Sequence, residues 1–428
     1  MPEVIALGKA AGLKMKARSA LIVGGGFVGA CCALRLCERG LAVTLVDPQQ
    51  PGASASFGNA GHIAIEQCEP LASWRQIATV PRRLFAFGGP LDLPLRALAQ
   101  WAPFSAGFLR ASRPNAHRHG TQTLTALLNK AMPAWRSLAA AAGATALLRE
   151  SGHLVVWERA ATARKGRADW SRLTAPGAVF QSVDTAELDH LRTLVSAPIE
   201  DAVRFLRTGQ ILSLRHMHHA IVTSAKNAGM QTLKGTAIRL ELEGRRTRVV
   251  LDDGSKGSAD MVLIAAGVGS RALLAAIGHR VPLIAERGYH IETGRSAWPD
   301  DVPPVVFEDR SLIVTTFRDR LRLAGFVEFA AADTPPDRRK WRRLHRHARQ
   351  LGIALPAPVA EWMGARPTLP DYLPAIGRSR FSEDLYYAFG HQHLGLTLAP
   401  LTADLVAGLV CDGAAPTPLE SLGLERFG

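Results

Sequence analysis

A chain of 428 residues, 47% hydrophobic and 21% charged, is too apolar to be disordered and long enough for two cores. Its formal charge of +14 comes from arginines scattered along the whole sequence. A nucleic-acid binder concentrates its charge on one face, so no nucleic-acid partner is expected. The five cysteines are odd in number, and Cys31, Cys32 and Cys37 crowd one helical stretch, which predicts buried thiols in a reducing, cytoplasmic setting and no disulfide framework.

Residues 1–18 are mildly basic, lack an apolar h-region and read as an N-terminal extension, not a signal peptide. No run of 18 uncharged apolar residues follows, so no spanning helix is expected. The apolar run over 20–24 predicts a buried parallel strand, Phe27 to Arg39 a helix closed by Gly40, and Leu41 to Val46 a second buried strand ending at Asp47. Between the first strand and the helix lies Gly24-Gly25-Gly26-Phe27-Val28-Gly29, which fits G-x-G-x-x-G. Gly24 permits the tight turn, Gly26 lets the backbone approach a pyrophosphate, and Gly29 lets helix and strand pack closely. The helix N-terminus adds unpaired N–H groups, and Asp47 stands where a carboxylate accepts hydrogen bonds from a ribose diol. This βαβ unit predicts a dinucleotide but does not by itself separate FAD from NAD(P).

The small, polar stretch from Ser54 through Ser56, Asn59 and Ala60 to Gly61 follows, suited to hydrogen-bonding phosphates and approaching a ring face, with His62 beside it. Residues 70–115 mix Pro, Trp and Arg without a clear period, 120–147 read as helix, and 152–157 as a strand. His216, His218 and His219 lie at the start of a helix over 214–228; with no carboxylate or cysteine partner in view, no metal is expected there or at the cysteines. Strands alternate over 233–252, and a buried strand over 261–266 ends in Ala266-Gly267. A very basic helix is predicted over 336–351. The last block carries Arg366-Pro367 and then Gly390-His391-Gln-His393-Leu394-Gly395-Leu396-Thr397 ahead of a helix.

In this order, the motifs resemble the D-amino-acid oxidase and dehydrogenase family of FAD enzymes, which includes glycine and sarcosine oxidases. The stretch from Ser56 to Gly61 resembles the D-amino-acid dehydrogenases best. The resemblance implies an α/β fold: a Rossmann-like FAD domain assembled from residues 19–90, 205–285 and 360–428, with an α+β substrate domain of 91–204 and 286–359 built on a mixed sheet. It implies noncovalent FAD, with Ala237 where the family has a Val whose backbone meets the adenine. Ala266, Gly267 and the stretch from Gly390 to Thr397 would line the cofactor.

Arg366 would hold the substrate carboxylate, a task suited to its planar two-donor fork. Tyr289, His290 and His391 are the other pocket candidates. The chemistry expected is oxidation of a small D-amino acid by hydride transfer, with D-proline or cis-4-hydroxy-D-proline preferred because Tyr289 and His290 would meet a ring hydroxyl. A glycine or sarcosine type of oxidase using oxygen, and an RNA-modifying FAD enzyme, are the alternatives. Aromatic residues alternating with arginines over 74–110 suggest a peripheral place at the inner face of the membrane, delivering electrons to a quinone or membrane acceptor. Assembly as an oligomer or complex subunit is left open.

Overall fold

The computed structural model describes residues 18–48, 54–173, 175–294, 296–414 and 419–428. The N-terminal extension thus lies outside the described residues, apart from Arg18. Two large sheets organise the chain.

The first sheet has six strands in the order Gln231–Lys234, Ala42–Asp47, Ser19–Val23, Met261–Ile264, Leu385–Phe389 and Ala375–Arg378. Only the last pairing is antiparallel. Its central strands are apolar without alternation because both faces are covered. On one face the helices Phe27–Glu38, Leu214–Asn227 and Gly395–Ala407 bury Ile22, Val43 and Leu263. On the other, the small antiparallel sheet of Ala237–Glu243, Arg246–Leu251 and Lys256–Gly257 covers Leu21, Val23 and Val262. The strand Ser19–Val23 has its successor on one side and Met261–Ile264 on the other. The crevice at its C-terminal end is therefore the switch point at which such sheets bind ligands.

The second sheet has nine strands. Ile284–Thr293 lies between Val359–Thr368 and Leu321–Phe329, antiparallel to both. The basic helix Arg338–Leu351 buries Trp341, Leu344 and Ala348 against one face of this sheet. Val359–Thr368, which spans the boundary expected at residue 360, pairs along its whole length with Ile284–Thr293.

Two further differences have physical causes. Residues 70–115 contain the helices Trp74–Arg83 and Leu98–Ala111, each with an internal proline that reads as a breaker in sequence. By length and composition Gln392–Asp412 would suffice to cross a membrane, yet 72% of it is buried inside the protein, where it packs as a core helix. Cys31, Cys32, Cys37 and Cys68 are buried free thiols, as expected.

Candidate active site

The glycine loop lies at the switch point. Gly24 has φ +108°, and a side chain on it would meet the carbonyl oxygen of Ala265 at 2.5 Å. Ala266 thus sits directly against the loop, with Gly267 following it in the chain. A Cβ on Gly29 would fall 1.8 Å from the Gly24 oxygen, so helix and strand touch there. At Gly26 a Cβ would meet only the hydroxyls of Ser56 at 3.0 Å and Ser54 at 3.6 Å, leaving polar groups around an approachable backbone. The N-cap of the helix that starts at Phe27 is Gly26, which has no side chain to cap it, and Val28 and Gly29 fall in its first turn. Asp47 Oδ2 accepts the Gly25 amide at 2.7 Å, and its backbone carbonyl accepts Gly235 N at 3.2 Å, two residues before Ala237. This cradle fits the pyrophosphate and ribose of a dinucleotide.

The loop after the second strand folds back over the cradle. Ser54 Oγ accepts the Ser56 amide, Ser56 Oγ accepts the Phe27 amide at 3.1 Å, and Asn59 Oδ1 accepts that of Gly61. Two residues that sequence reasoning missed secure it. Arg322, buried and paired with Glu292 at 2.6 Å, donates to the carbonyls of Phe57 and Asn59. His218 donates Nε2–H to the Gly25 carbonyl at 2.7 Å and packs edge-on against Phe27 and Phe57. In sequence His218 reads as part of a polar helix face; only the packing of that helix on the Phe27–Glu38 helix shows its role.

Beyond the cradle lies the face of the nine-stranded sheet that looks away from the Arg338–Leu351 helix. Cross-strand partners Glu286 and Arg366, Gly288 and Gly364, and His290 and Trp362 form three successive rows. Arg366 Nη1 donates to Glu286 Oε1 at 3.1 Å, and Thr368 and Tyr372 hold Oε2 of the same carboxylate. Among the described residues, Nη1 is the only guanidinium nitrogen of Arg366 with a partner, and the side chain is 30% exposed. The guanidinium lies over Gly288, where a Cβ would come within 2.4 Å of Nη2. The Trp362 ring fills a slot between Gly58 and Gly364, where a Cβ on either would fall 1.9 Å from it. His290 stacks on Trp362 with centroids 4.8 Å apart and donates Nδ1–H to the Gly58 carbonyl. Burial, reinforced by the charges of Arg322 and Arg366, pushes His290 down to about 2, so its ring is neutral.

Tyr289 is not in this pocket. Successive side chains of a strand point to opposite faces, so Tyr289 and His290 cannot both face the site. Tyr289 lies under the Arg338–Leu351 helix, against Trp341, and donates to Glu328 Oε2 at 2.5 Å. Tyr289→Phe is expected to lose about 1–3 kcal/mol of stability by leaving Glu328 without that donor. Urea unfolding checks this, and KM for substrate should stay unchanged.

His391 is turned away as well, its Nε2 bonded to Thr402 Oγ1 at 2.9 Å in the core. His393 faces the site: the side chain is half-buried, its Nε2 is buried with no partner among the described residues, and the Glu286 and Arg366 charges act on it. The backbone from Gly390 to Gly395 leads into the Gly395–Ala407 helix, where Thr397 Oγ1 accepts the Ala64 amide at 3.0 Å and Leu396 O accepts Trp135 Nε1–H. Leu394 is buried beneath this turn.

Burial holds His391 and His393 at about 4 and His153 at about 3. Each is neutral in the folded chain and gains a proton only on unfolding below the ordinary histidine range. Stability should therefore fall as pH drops from about 6.5 toward 4, by ~1.4 kcal/mol per pH unit for each histidine. Tm measured across that window checks the slope, which His391→Gln should lessen by about one proton.

The comparisons decide the family. Residues 19–409 match the DAO family, described as FAD dependent oxidoreductase. The chain belongs to this family. It is 30% identical to a D-amino-acid oxidase of Bradyrhizobium diazoefficiens, over 96% of this chain and 99% of that one. It is 29% identical to a D-amino acid dehydrogenase of Cereibacter sphaeroides, over 95% of each. In fold it is similar to glycine oxidase from Geobacillus kaustophilus, with TM-score 0.72 and 20% identity, covering 95% of this chain and 98% of that one. Iminodiacetate oxidase from Chelativorans sp. BNC1 follows at TM-score 0.71 and 19% identity, covering 94% and 98%. As a DAO family member, the chain is an FAD-dependent oxidoreductase.

Proposed function

We propose that this DAO family enzyme is a dehydrogenase of a small D-amino acid, with D-proline or cis-4-hydroxy-D-proline preferred. The observation that carries the reading is Arg366, steadied through one nitrogen by buried Glu286 and retaining two more for a substrate carboxylate. FAD, when bound, accepts the hydride from the carbon that bears the amine. The loop from Gly24 to Gly29 and the hydroxyls of Ser54 and Ser56 would hold its phosphates. The uncapped N-terminus of the Gly395–Ala407 helix offers a positive dipole end to the negative charge that the reduced ring carries.

The D configuration is supported by the names of the relatives, D-amino-acid oxidase and D-amino acid dehydrogenase. A cyclic substrate is supported by the flat Trp362 and His290 wall two rows from Arg366, across the small Gly288 and Gly364 pair. The hydroxyl preference rests on His290 alone, since Tyr289 lies on the other face. An acceptor at a lipid surface, and with it a peripheral membrane location, is supported by Trp74, Phe87, Leu95, Leu98 and Leu109, all exposed in one segment that also carries Arg75 and Arg96.

Anaerobic bleaching of the flavin by a panel of D- and L-amino acids tests the reading. D-Proline and cis-4-hydroxy-D-proline should bleach it fastest. L-Amino acids acting as well as D would overturn the stereochemistry, and peroxide formed at the rate of turnover would overturn the acceptor.

A further inference from the structure

The strand that follows the Ser54–Gly61 loop brings His62 and Glu66 against His153 of the large sheet. His62, Glu66 and His153 are only 9%, 2% and 2% exposed. His62 Nε2 lies 3.2 Å from Glu66 Oε1, and His153 Nε2 lies 4.0 Å from the same oxygen. All three donor atoms fall within 4.8 Å of one another. We propose that these three side chains bind one zinc ion, at a site separate from the flavin chemistry.

The spacing suits the ion. Zn–N and Zn–O bonds of about 2.0–2.2 Å put tetrahedral ligand pairs roughly 3.3–3.6 Å apart, which the observed separations bracket. The outer groups suit it too. A zinc-bound imidazole ordinarily gives its second nitrogen to an oxygen, and His153 Nδ1 is 2.9 Å from Thr208 Oγ1. The His153 ring is further fixed by stacking on Phe205 at 4.6 Å.

Independent support comes from polar atoms that the protein leaves unserved. Among the described residues, His62 Nδ1, Glu66 Oε2 and Gln210 Oε1 are buried without a partner. Gln210 is the cross-strand neighbour of His62, and its amide nitrogen is committed to Thr316 O. An unpartnered oxygen on the buried Glu66 carboxylate, with an open Gln210 oxygen and His62 Nδ1 around it, matches a cation with an outer ligand or water. Two imidazoles with one carboxylate favour zinc over magnesium or calcium, which take oxygen ligands, and the lack of a thiolate disfavours copper(I). Bound there, zinc would tie the cofactor loop to the substrate sheet. The separation of 87 positions between Glu66 and His153 hides this set from any reading of local spacing.

The untagged, FAD-loaded full chain should be incubated with zinc chloride, desalted and assayed by mass spectrometry for metal. Wild type should retain about one zinc per chain, and Glu66→Gln and His153→Gln less than about a tenth of that at equal flavin content. Less than a tenth in wild type, or equal zinc in wild type and Glu66→Gln, would overturn the site. Should the variants not fold, zinc-edge X-ray absorption of wild type decides: scattering from two imidazoles at about 2.0 Å supports the proposal, and its absence defeats it.

Discussion

Gly26→Val is expected to give a folded protein without flavin colour. A side chain at Gly26 meets no backbone, only the Ser56 and Ser54 hydroxyls, so the sheet and helix should assemble around it. The branched methyls would instead occupy the surface along which a pyrophosphate reaches the helix N-terminus. Gly29→Val would be a poor substitute, because its Cβ would fall 1.8 Å from the Gly24 oxygen and disturb the fold itself. Far-UV circular dichroism and flavin absorbance after denaturation separate the two effects. Full FAD occupancy in Gly26→Val would show that the cradle is not where the pyrophosphate lies.

Arg366→Leu is expected to leave the flavin bound and to remove substrate carboxylate recognition. Losing a desolvated, charge-assisted contact costs roughly 2–5 kcal/mol, a fall of about 30- to 5,000-fold in kcat/KM. A second effect follows from the pairing with Glu286. That carboxylate is only 2% exposed and would retain just Thr368 and Tyr372, so the variant should also lose stability. Arg366→Leu combined with Glu286→Gln should recover the stability and not the affinity. A steady-state comparison of proline with pyrrolidine, which lacks the carboxylate, checks the assignment: the variant should lose its preference for proline. Unchanged affinity for carboxylate substrates would place Arg366 outside the site.

What could be read from sequence was whatever one segment determines through its own period and chemistry. The buried strands over 20–24 and 261–266 are continuous apolar runs because helices and a small sheet cover both faces. The loop from Gly24 to Gly29 needs glycines wherever backbone meets backbone, and such needs are local. The helices over 27–39 and 214–228 lie within a residue or two of their expected limits for the same reason. The helices in 70–115 escaped because Pro81 and Pro103 sit inside them and no buried stripe marks Trp74–Arg83.

The sequence by itself determined the dinucleotide fingerprint, the resemblance to an FAD family and the identity of Arg366 as the carboxylate candidate. Tertiary structure alone decided which neighbours share a face. Strand alternation sends Tyr289 under a helix and His290 to the site, and a turn sends His391 into the core and leaves His393 toward Arg366. The Glu286 carboxylate that steadies Arg366 is 80 residues away, and Arg322 and His218, which secure the cofactor loop, reach it from 265 and 193 residues away. No local period encodes such contacts. They arise because burial brings remote polar groups together, and each must then find a partner at hydrogen-bonding distance.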